Sequence, residues 1–227
     1  MLDKKTLDFL GELKLNNNKD WFHAEANQAK YQAARADILQ LAGKLIAAVQ
    51  EFEPNMGFKF LEPTKCITRI NRDLRFSKDK TPYKTDYYIV INKDGKRSDS
   101  AFYYLHIEED SCDMGGGLYN PPAHLLQKIR QDIDYAPADW LDLLQAKDFA
   151  TAFPQGLEFS AALQKVPANF LPEHKAADLL KRKDFFTCAR RNAEFICSPN
   201  AVAEIAKTFV ASRPLVDLLN RAISFED

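Results

Sequence analysis

The sequence has few of the residues that mark metal-binding, disulfide-stabilised or flexible proteins. Glycine occurs only 8 times in 227 residues. The cysteines show no C-x-x-C pair and no regular spacing; they are Cys66, Cys112, Cys188 and Cys197. This pattern predicts neither a zinc knuckle nor a disulfide scaffold, and we expect reduced cysteines. No H-E-x-x-H or comparable ligand spacing occurs, so no metal site and no cofactor are predicted.

Long apolar runs and an excess of one charge are also absent. No run reaches the roughly 18 apolar residues of a membrane helix, and the start MLDKKTLD lacks an apolar signal-peptide core. The formal net charge is −1. Bulk nonspecific nucleic-acid binding is therefore not favoured, because it requires a broadly basic surface. We expect a soluble cytoplasmic protein of bacterial type that does not contact membranes.

Hydrophobic periodicity predicts an α+β fold in a single globular domain over residues 1–227. Helical spacing dominates residues 3–53 and 121–225, whereas period-two alternation indicates a central antiparallel sheet, a meander over about residues 58–119. The predicted strands are Phe58–Leu61, Lys65–Ile70, Tyr87–Asn92, Phe102–Glu108 and Met114–Tyr119. Asp3 and Asn18 are the expected N-caps of the first two helices. Pro121–Pro122 and Pro137 are expected to open two further helices, the first of which runs through Tyr135. Residues 149–170 are expected to be irregular, and a final separate helix is expected after Pro214.

Residues 65–84 concentrate positive charge in an otherwise balanced chain. The segment carries seven basic residues and two acids, Asp73 and Asp79. Guanidinium forks and ammonium groups at this density are typical of a site for phosphate or carboxylate. The candidate anion-binding residues are Arg69, Arg72, Arg75, Ser77, Lys78, Lys80 and Lys84. The alternative interpretation is a solvated strand-and-loop edge.

The strand predicted at 102–108 carries the candidate catalytic pair. His106 and Glu108 share its outward face with Tyr104, which permits general acid–base chemistry beside a carboxylate. The alternative is a hydrogen-bonded structural histidine. The triple glycine 115–117 lacks the spacing of a phosphate-binding loop and is interpreted as a point of close approach. The predicted groove residues are Tyr83, Tyr104, Gly116, Gly117 and Tyr119.

Several blocks of the sequence together resemble one protein family. The central block is R-I-x-R-D-x-R-F-S-K-D-K-x-P-Y-K at residues 69–84. The others are N-N-x-K-x-W-F within 16–22, Y-Y-x-H-x-E at 103–108, G-G-G-x-Y at 115–119, L-x-x-x-P-x-x-F at 163–170, His174 and 179–185. These blocks resemble the conserved hypothetical proteins of domain of unknown function 2461. Lys175 departs from the pattern, in which proline often follows the histidine. The resemblance implies a fold and no activity.

These observations favour an anion-recognising domain, with an enzyme on a phosphorylated small molecule or nucleotide as one form of it. A small anionic ligand is the expected partner. Two alternatives stay open at this point: a protein-interaction module that docks an acidic partner, and a structured nucleic-acid binder. The sequence assigns neither a reaction nor an oligomeric state.

Overall fold

A computed structural model describes residues 1–54, 61–96 and 98–224. The helices in these ranges are α1 (Lys4–Leu15), α2 (Lys19–His23), α3 (Glu25–Phe52), α4 (Pro63–Cys66), α5 (Ala123–Tyr135), α6 (Pro137–Gln145), α7 (Lys147–Ala152), α8 (Ala177–Leu180) and α9 (Ala201–Ser224), with a 3-10 helix at Ala193–Cys197. None of them combines the length and the apolar character that a membrane-crossing helix requires.

The strands are β1 (Tyr87–Ile91), β2 (Phe102–Ile107), β3 (Ser111–Leu118), β4 (Phe185–Phe186) and β5 (Ala189–Asn192). They form one open antiparallel sheet in the order β1-β2-β3-β4, and β5 also pairs with β3. About half of the chain is helical. The predicted α+β class and antiparallel meander are therefore confirmed.

The sheet differs from the predicted one at its edges. Residues 65–70 were predicted as a strand, but α4 covers 63–66, and only an isolated bridge from Ile67 to Ile89 follows. Pro63 in the first turn favours the helix locally. Of the strand predicted at 58–61, residues 58–60 lie outside the described residues. β4 and β5, only two and four residues long, were not predicted.

Two helix predictions also change. The prediction of a separate helix after Pro214 was wrong, because α9 continues through that proline. Burial explains the continuity, since Phe209 before the proline and Leu215 and Leu219 after it are fully buried. The segment 149–170 was expected to be irregular, but its first residues complete α7. The caps at Asp3 and Asn18 are confirmed, because their side chains accept hydrogen bonds from the N–H groups of Lys5 and Trp21.

The chain divides into two compact units, each built from separate stretches of sequence. The first contains Met1–Arg97, Tyr104–Asp113 and Arg190–Lys207; the second contains Ser98–Tyr103, Met114–Ala189 and Thr208–Asp227. The predicted single domain over 1–227 stays a prediction.

In the first unit, α1 packs on α3 through apolar side chains spaced at helical period. Phe9, Leu10 and Leu13 of α1 are buried, as are Ile38 and Leu45 of α3. Aromatic rings extend this core towards α2, with the ring centroids of Phe22 and Tyr31 5.1 Å apart. β1 and the last residues of β2 contribute Ile89, Ile91, Leu105 and Ile107, all fully buried.

In the second unit, a buried polar network lies among the apolar contacts. Asp132 on α5 accepts hydrogen bonds from Trp140 Nε1 at 2.8 Å and from both Arg221 Nε at 3.1 Å and Nη2 at 2.8 Å. A second buried carboxylate, Asp184, accepts from the backbone N–H groups of Asn120 at 2.6 Å and Ser160 at 3.0 Å. Both carboxylates are therefore hydrogen-bonded, as burial requires.

Candidate functional site

Residues 71–83, called here the arginine loop, project from a short antiparallel base. Lys84 N–H donates to the Ile70 carbonyl at 2.7 Å and Arg72 N–H donates to the Pro82 carbonyl at 3.0 Å. Asn71 and Tyr83 thus form a bridge that closes the loop. The basic segment therefore has a defined fold.

Arg72 braces the interior of the arginine loop. Its Nη1 donates to Asp79 Oδ2 at 2.5 Å, to the Thr81 hydroxyl and to the Thr81 carbonyl, and its Nη2 reaches Ser77 Oγ at 3.4 Å. The Thr81 N–H, the Arg72 guanidinium and the Thr81 hydroxyl together lower the pKa of Asp79 to about 2. Arg72 is thereby committed to partners within the loop.

Arg75 and Lys80 also bind within the loop. Arg75 Nε and Nη2 donate to Asp73 at 2.9 and 2.6 Å, and hydrogen bonds from the Arg75 side chain and N–H lower the pKa of Asp73. Lys80 Nζ donates to the Leu74 carbonyl at 3.1 Å. By contrast, Arg69, Lys78 and Lys84 make no side-chain hydrogen bond or ion pair within the described ranges of the chain. These three cations keep their charge available for a ligand.

Tyr83 fixes the loop to the N-terminal helices. Asn17 Nδ2 donates to the Tyr83 carbonyl at 2.9 Å, and the Tyr83 N–H donates to Asn17 Oδ1 at 3.1 Å. The Tyr83 ring stacks on Phe22 with centroids 3.9 Å apart, and its hydroxyl lies 3.3 Å from His23 Nε2. Tyr83 was predicted to line a groove, but it is 4% exposed and acts as an anchor for the loop.

A bulge connects the arginine loop to β1. Between the pairs Ile67–Ile89 and Asn71–Tyr83, residues 68–70 face the longer stretch 84–88. Thr68 N–H donates to the Tyr88 carbonyl, and Lys84 N–H donates to the Ile70 carbonyl, so Arg69 lies across from residues 85–87. Bulges of this kind redirect side chains and are common beside functional sites. Here the bulge carries Asp86.

His106 lies on β2 with both edges and one face of its ring in contact with other side chains. Its Nε2 donates to Asp86 Oδ2 at 3.1 Å, and its ring stacks on Tyr88 with centroids 4.0 Å apart and planes at 16°. Glu108 Oε1 lies 3.7 Å from Nε2, and Asp113 Oδ2 lies 3.8 Å from Nδ1. We call His106, Asp86, Tyr88, Glu108 and Asp113 the His106 cluster.

The His106 cluster remains open to solvent on part of its surface. The side chain of His106 is 12% exposed, and that of Glu108 is 45% exposed. Arg190 Nε lies 3.7 Å from Asp113 Oδ1 and balances part of the acidic charge. The arrangement fixes one imidazole next to three carboxylates, and this geometry suits transfer or acceptance of a proton.

Sequence patterns brought out only part of this cluster. Strand alternation identified His106 and Glu108, while Asp86, Tyr88 and Asp113 were not predicted as site residues. The signal for Asp86 was its position two residues after Lys84, directly after the basic segment. Tyr104, on the same strand, is 7% exposed, and its ring centroid lies 6.5 Å from that of Tyr88.

The remaining predicted groove residues belong to the second unit. A side chain on Gly116 would meet Ser212, Val216 and Tyr103, and one on Gly117 would meet the backbone of Phe185 and Phe186. Gly117 also has φ +144°, which favours glycine. These two glycines therefore allow close packing. Tyr119 is 57% exposed, and its ring packs edge-on against Phe186.

Cys66 and Cys112 are buried and do not provide reactive thiols. Burial raises the pKa of both Cys66 and Cys112 to about 11, so their thiols remain protonated near neutral pH. Within residues 1–54, 61–96 and 98–224, no group of three His, Cys, Asp or Glu side chains is arranged to hold a metal ion. The chemistry of the site rests on the His106 cluster and the neighbouring cations.

Comparison with known proteins gives one match. The sequence profile of the family described as "Conserved hypothetical protein (DUF2461)" matches residues 5–218. The chain belongs to this family. The matched range includes the arginine loop, its anchor Asn17 and the whole His106 cluster. No curated protein and no solved structure matches the chain.

Proposed function

We propose that this member of the family binds a small phosphorylated or carboxylated molecule and that His106 exchanges a proton with the bound molecule. The observation that carries the proposal is the hydrogen bond from His106 Nε2 to Asp86, a residue of the bulge that begins at Lys84 and faces Arg69. The carboxylate that fixes the imidazole thus lies on the same paired segments, 67–71 and 83–89, as Arg69 and Lys84.

Charge separates two parts of the proposed site. Asp86, Glu108 and Asp113 surround His106, so an anionic group is repelled from the imidazole itself. Arg69 and Lys84 are the groups that favour an anion. The ligand would therefore place its phosphate or carboxylate at these cations and a less charged part, the one that gains or loses a proton, at His106.

The histidine is supported in the way that a proton-transfer group requires. Asp86 fixes one ring edge by a hydrogen bond, and Tyr88 fixes the ring plane by stacking. Preorganisation of this kind contributes to catalysis because the reacting group need not reorient. Of the predicted anion contacts, Arg69 and Lys84 are the cations we assign to the ligand. Arg72, Arg75, Ser77 and Lys80 shape the loop, and Lys78 is not assigned to this ligand.

Thermal denaturation in the presence of defined anions tests the proposal. The panel contains inorganic phosphate, pyrophosphate, citrate and AMP, measured on the wild type and on the double variant Arg69→Ala, Lys84→Ala. A saturating anion at a hundredfold its Kd stabilises the folded chain by about 2.7 kcal/mol. We expect a raised Tm for at least one anion in the wild type and a loss of that rise in the double variant.

A matched control keeps the change in net charge constant. Lys147 and Lys165 are exposed cations in the second unit, so Lys147→Ala, Lys165→Ala removes the same charge elsewhere. This variant should retain the wild-type response. Equal responses in the two double variants, or no response in the wild type, would contradict the proposal.

A further inference from the structure

The tip of the arginine loop presents a bare aromatic side chain. Phe76 is 96% exposed, whereas Tyr83 at the base of the same loop is 4% exposed. The Arg75 guanidinium lies 5.9 Å from the Phe76 ring centroid. Of the exposed large apolar side chains in the described residues, Phe76 is the most exposed, and aromatic side chains are enriched among the residues that dominate binding energy at interfaces.

The loop holds this side chain in a fixed frame. Arg72 ties Asp79 and Thr81 together on one side of the tip, and Arg75 binds Asp73 on the other. The Lys80 ammonium donates a hydrogen bond to the Leu74 carbonyl and so links the two halves of the loop. A braced loop loses little conformational freedom when a partner binds, so its contacts contribute more of their energy to affinity.

The charge around Phe76 indicates the chemistry of a partner. Lys78 and Lys80 follow Phe76 in sequence and are exposed, and no carboxylate lies within ion-pairing distance of either ammonium in the described part of the chain. Asp73 and Asp79 are both occupied by arginines of the loop. The tip therefore combines a bare aromatic ring with a net positive charge, and an acidic surface with an apolar pocket complements it.

We infer that the arginine loop is a docking element for a protein whose acidic surface encloses an apolar pocket, with Phe76 as the side chain that fills the pocket. A single aromatic ring distinguishes this partner from a single-stranded nucleic acid, whose successive bases stack on several rings. The inference does not depend on the proposed function, because Phe76, Lys78 and Lys80 form the tip while Arg69 and Lys84 flank the base.

Selection of peptides from a random phage-displayed library on the immobilised full chain tests the inference. We expect enriched sequences that combine Asp or Glu with large apolar residues. A selected peptide is then synthesised, and its affinity is measured by fluorescence polarisation. Phe76→Ser should weaken binding by about 30-fold, the loss typical of a central interface residue, and Lys78→Glu with Lys80→Glu should also weaken it.

Controls separate the tip from general surface effects. Leu171→Ser changes another exposed apolar residue, at 70% exposure, and should leave peptide affinity unchanged. Phe76→Ser should melt at the wild-type temperature and keep any anion-induced rise in Tm, which distinguishes failure of the docking inference from failure of the proposed function. No enrichment, enrichment without acidic residues, or equal affinity for the wild type and Phe76→Ser would overturn the inference. If the chain bound labelled oligothymidylate more tightly than the selected peptide, and Phe76→Ser lost this binding, the inference would also be overturned and a nucleic-acid site would be identified.

Discussion

Asn17 pairs with the backbone of Tyr83 as a neighbouring strand would, donating to its carbonyl at 2.9 Å and accepting from its N–H at 3.1 Å. The two residues are 66 positions apart in sequence. Through this pair, the asparagine turn before α2 holds the base of the arginine loop. The conformation of the basic segment therefore depends on a residue outside it.

Replacing Asn17 should destabilise the chain and loosen the loop. Asn17→Ala leaves a buried N–H and a carbonyl of Tyr83 without their partner, and such a loss costs about 1–3 kcal/mol. Denaturant unfolding measures this change in the free energy of unfolding. Asn16→Ala is the control, because its side chain only caps the exposed end of α1. An equal loss in both variants would contradict the anchoring role.

The two acid–arginine pairs of the loop should titrate independently. Arg72→Ala should raise the pKa of Asp79 from about 2 towards the usual value near 3.8 and leave Asp73 unchanged. Arg75→Ala should raise the pKa of Asp73 and leave Asp79 unchanged. Carboxyl chemical shifts followed by NMR during an acid titration measure both values. If each variant shifted both aspartates, the pairs would not be separate.

The sign of the resulting pH dependence follows from the lowered pKa. Because both aspartates are more acidic in the folded chain, their pairs stabilise it above about pH 4. That contribution is lost as the pH falls from about 4 to about 2. The rate at which an acid-active protease cleaves within the arginine loop should therefore rise as the pH falls through this range. A constant cleavage rate would contradict the expectation.

Asp184 should be a major stabilising residue of the second unit. It is 1% exposed and accepts hydrogen bonds from the backbone N–H groups of Asn120 and Ser160. Asp184→Ala should cost about 2–3 kcal/mol, since charge-assisted hydrogen bonds are lost and two donors remain unsatisfied. Asp178→Ala is the control, because that side chain is 96% exposed and forms a surface ion pair with Lys181. Similar unfolding midpoints for Asp184→Ala and the control would contradict this assignment.

The chain is expected to unfold as one cooperative unit. Its two compact units are interleaved in sequence, so the backbone passes between them at 97–98, 103–104, 113–114, 189–190 and 207–208. A single cut in the 149–170 segment therefore cannot release either unit as a continuous fragment. Calorimetry should show one transition with matching calorimetric and van't Hoff enthalpies. Two resolved transitions would contradict the single-domain prediction and indicate two independently unfolding units.

Local sequence patterns predicted the elements in which apolar residues recur at the period of a helix or a strand. β1, β2, β3, α5 and α6 lie close to their predicted positions because one face of each is apolar. β4 has only two residues, and its position depends on pairing of Phe186 with Gly117. A segment so short carries no period, so a long-range contact determines it.

The candidate site was also predictable only in part. Charge density identified the basic segment, and strand alternation identified His106 with Glu108. The division of the cations into loop braces and available groups was not predictable, because it depends on side-chain partners such as Asp79 and Thr81 in a folded loop. The bulge that brings Asp86 to His106 depends on the register between residues 67–71 and 83–89.

An NMR titration of the full chain with AMP, which joins a phosphate to a less charged nucleoside, tests the central claim most directly. Signals from the Arg69 guanidinium Nε–H and the His106 ring report the two parts of the proposed site. We predict that both signals shift along one saturating curve with the same Kd, and that neither shifts in the variant Arg69→Ala, Lys84→Ala. A shift of Arg69 without any change at His106, or no saturable shift of either residue, would contradict the claim that the cations and the histidine form one anion-binding site.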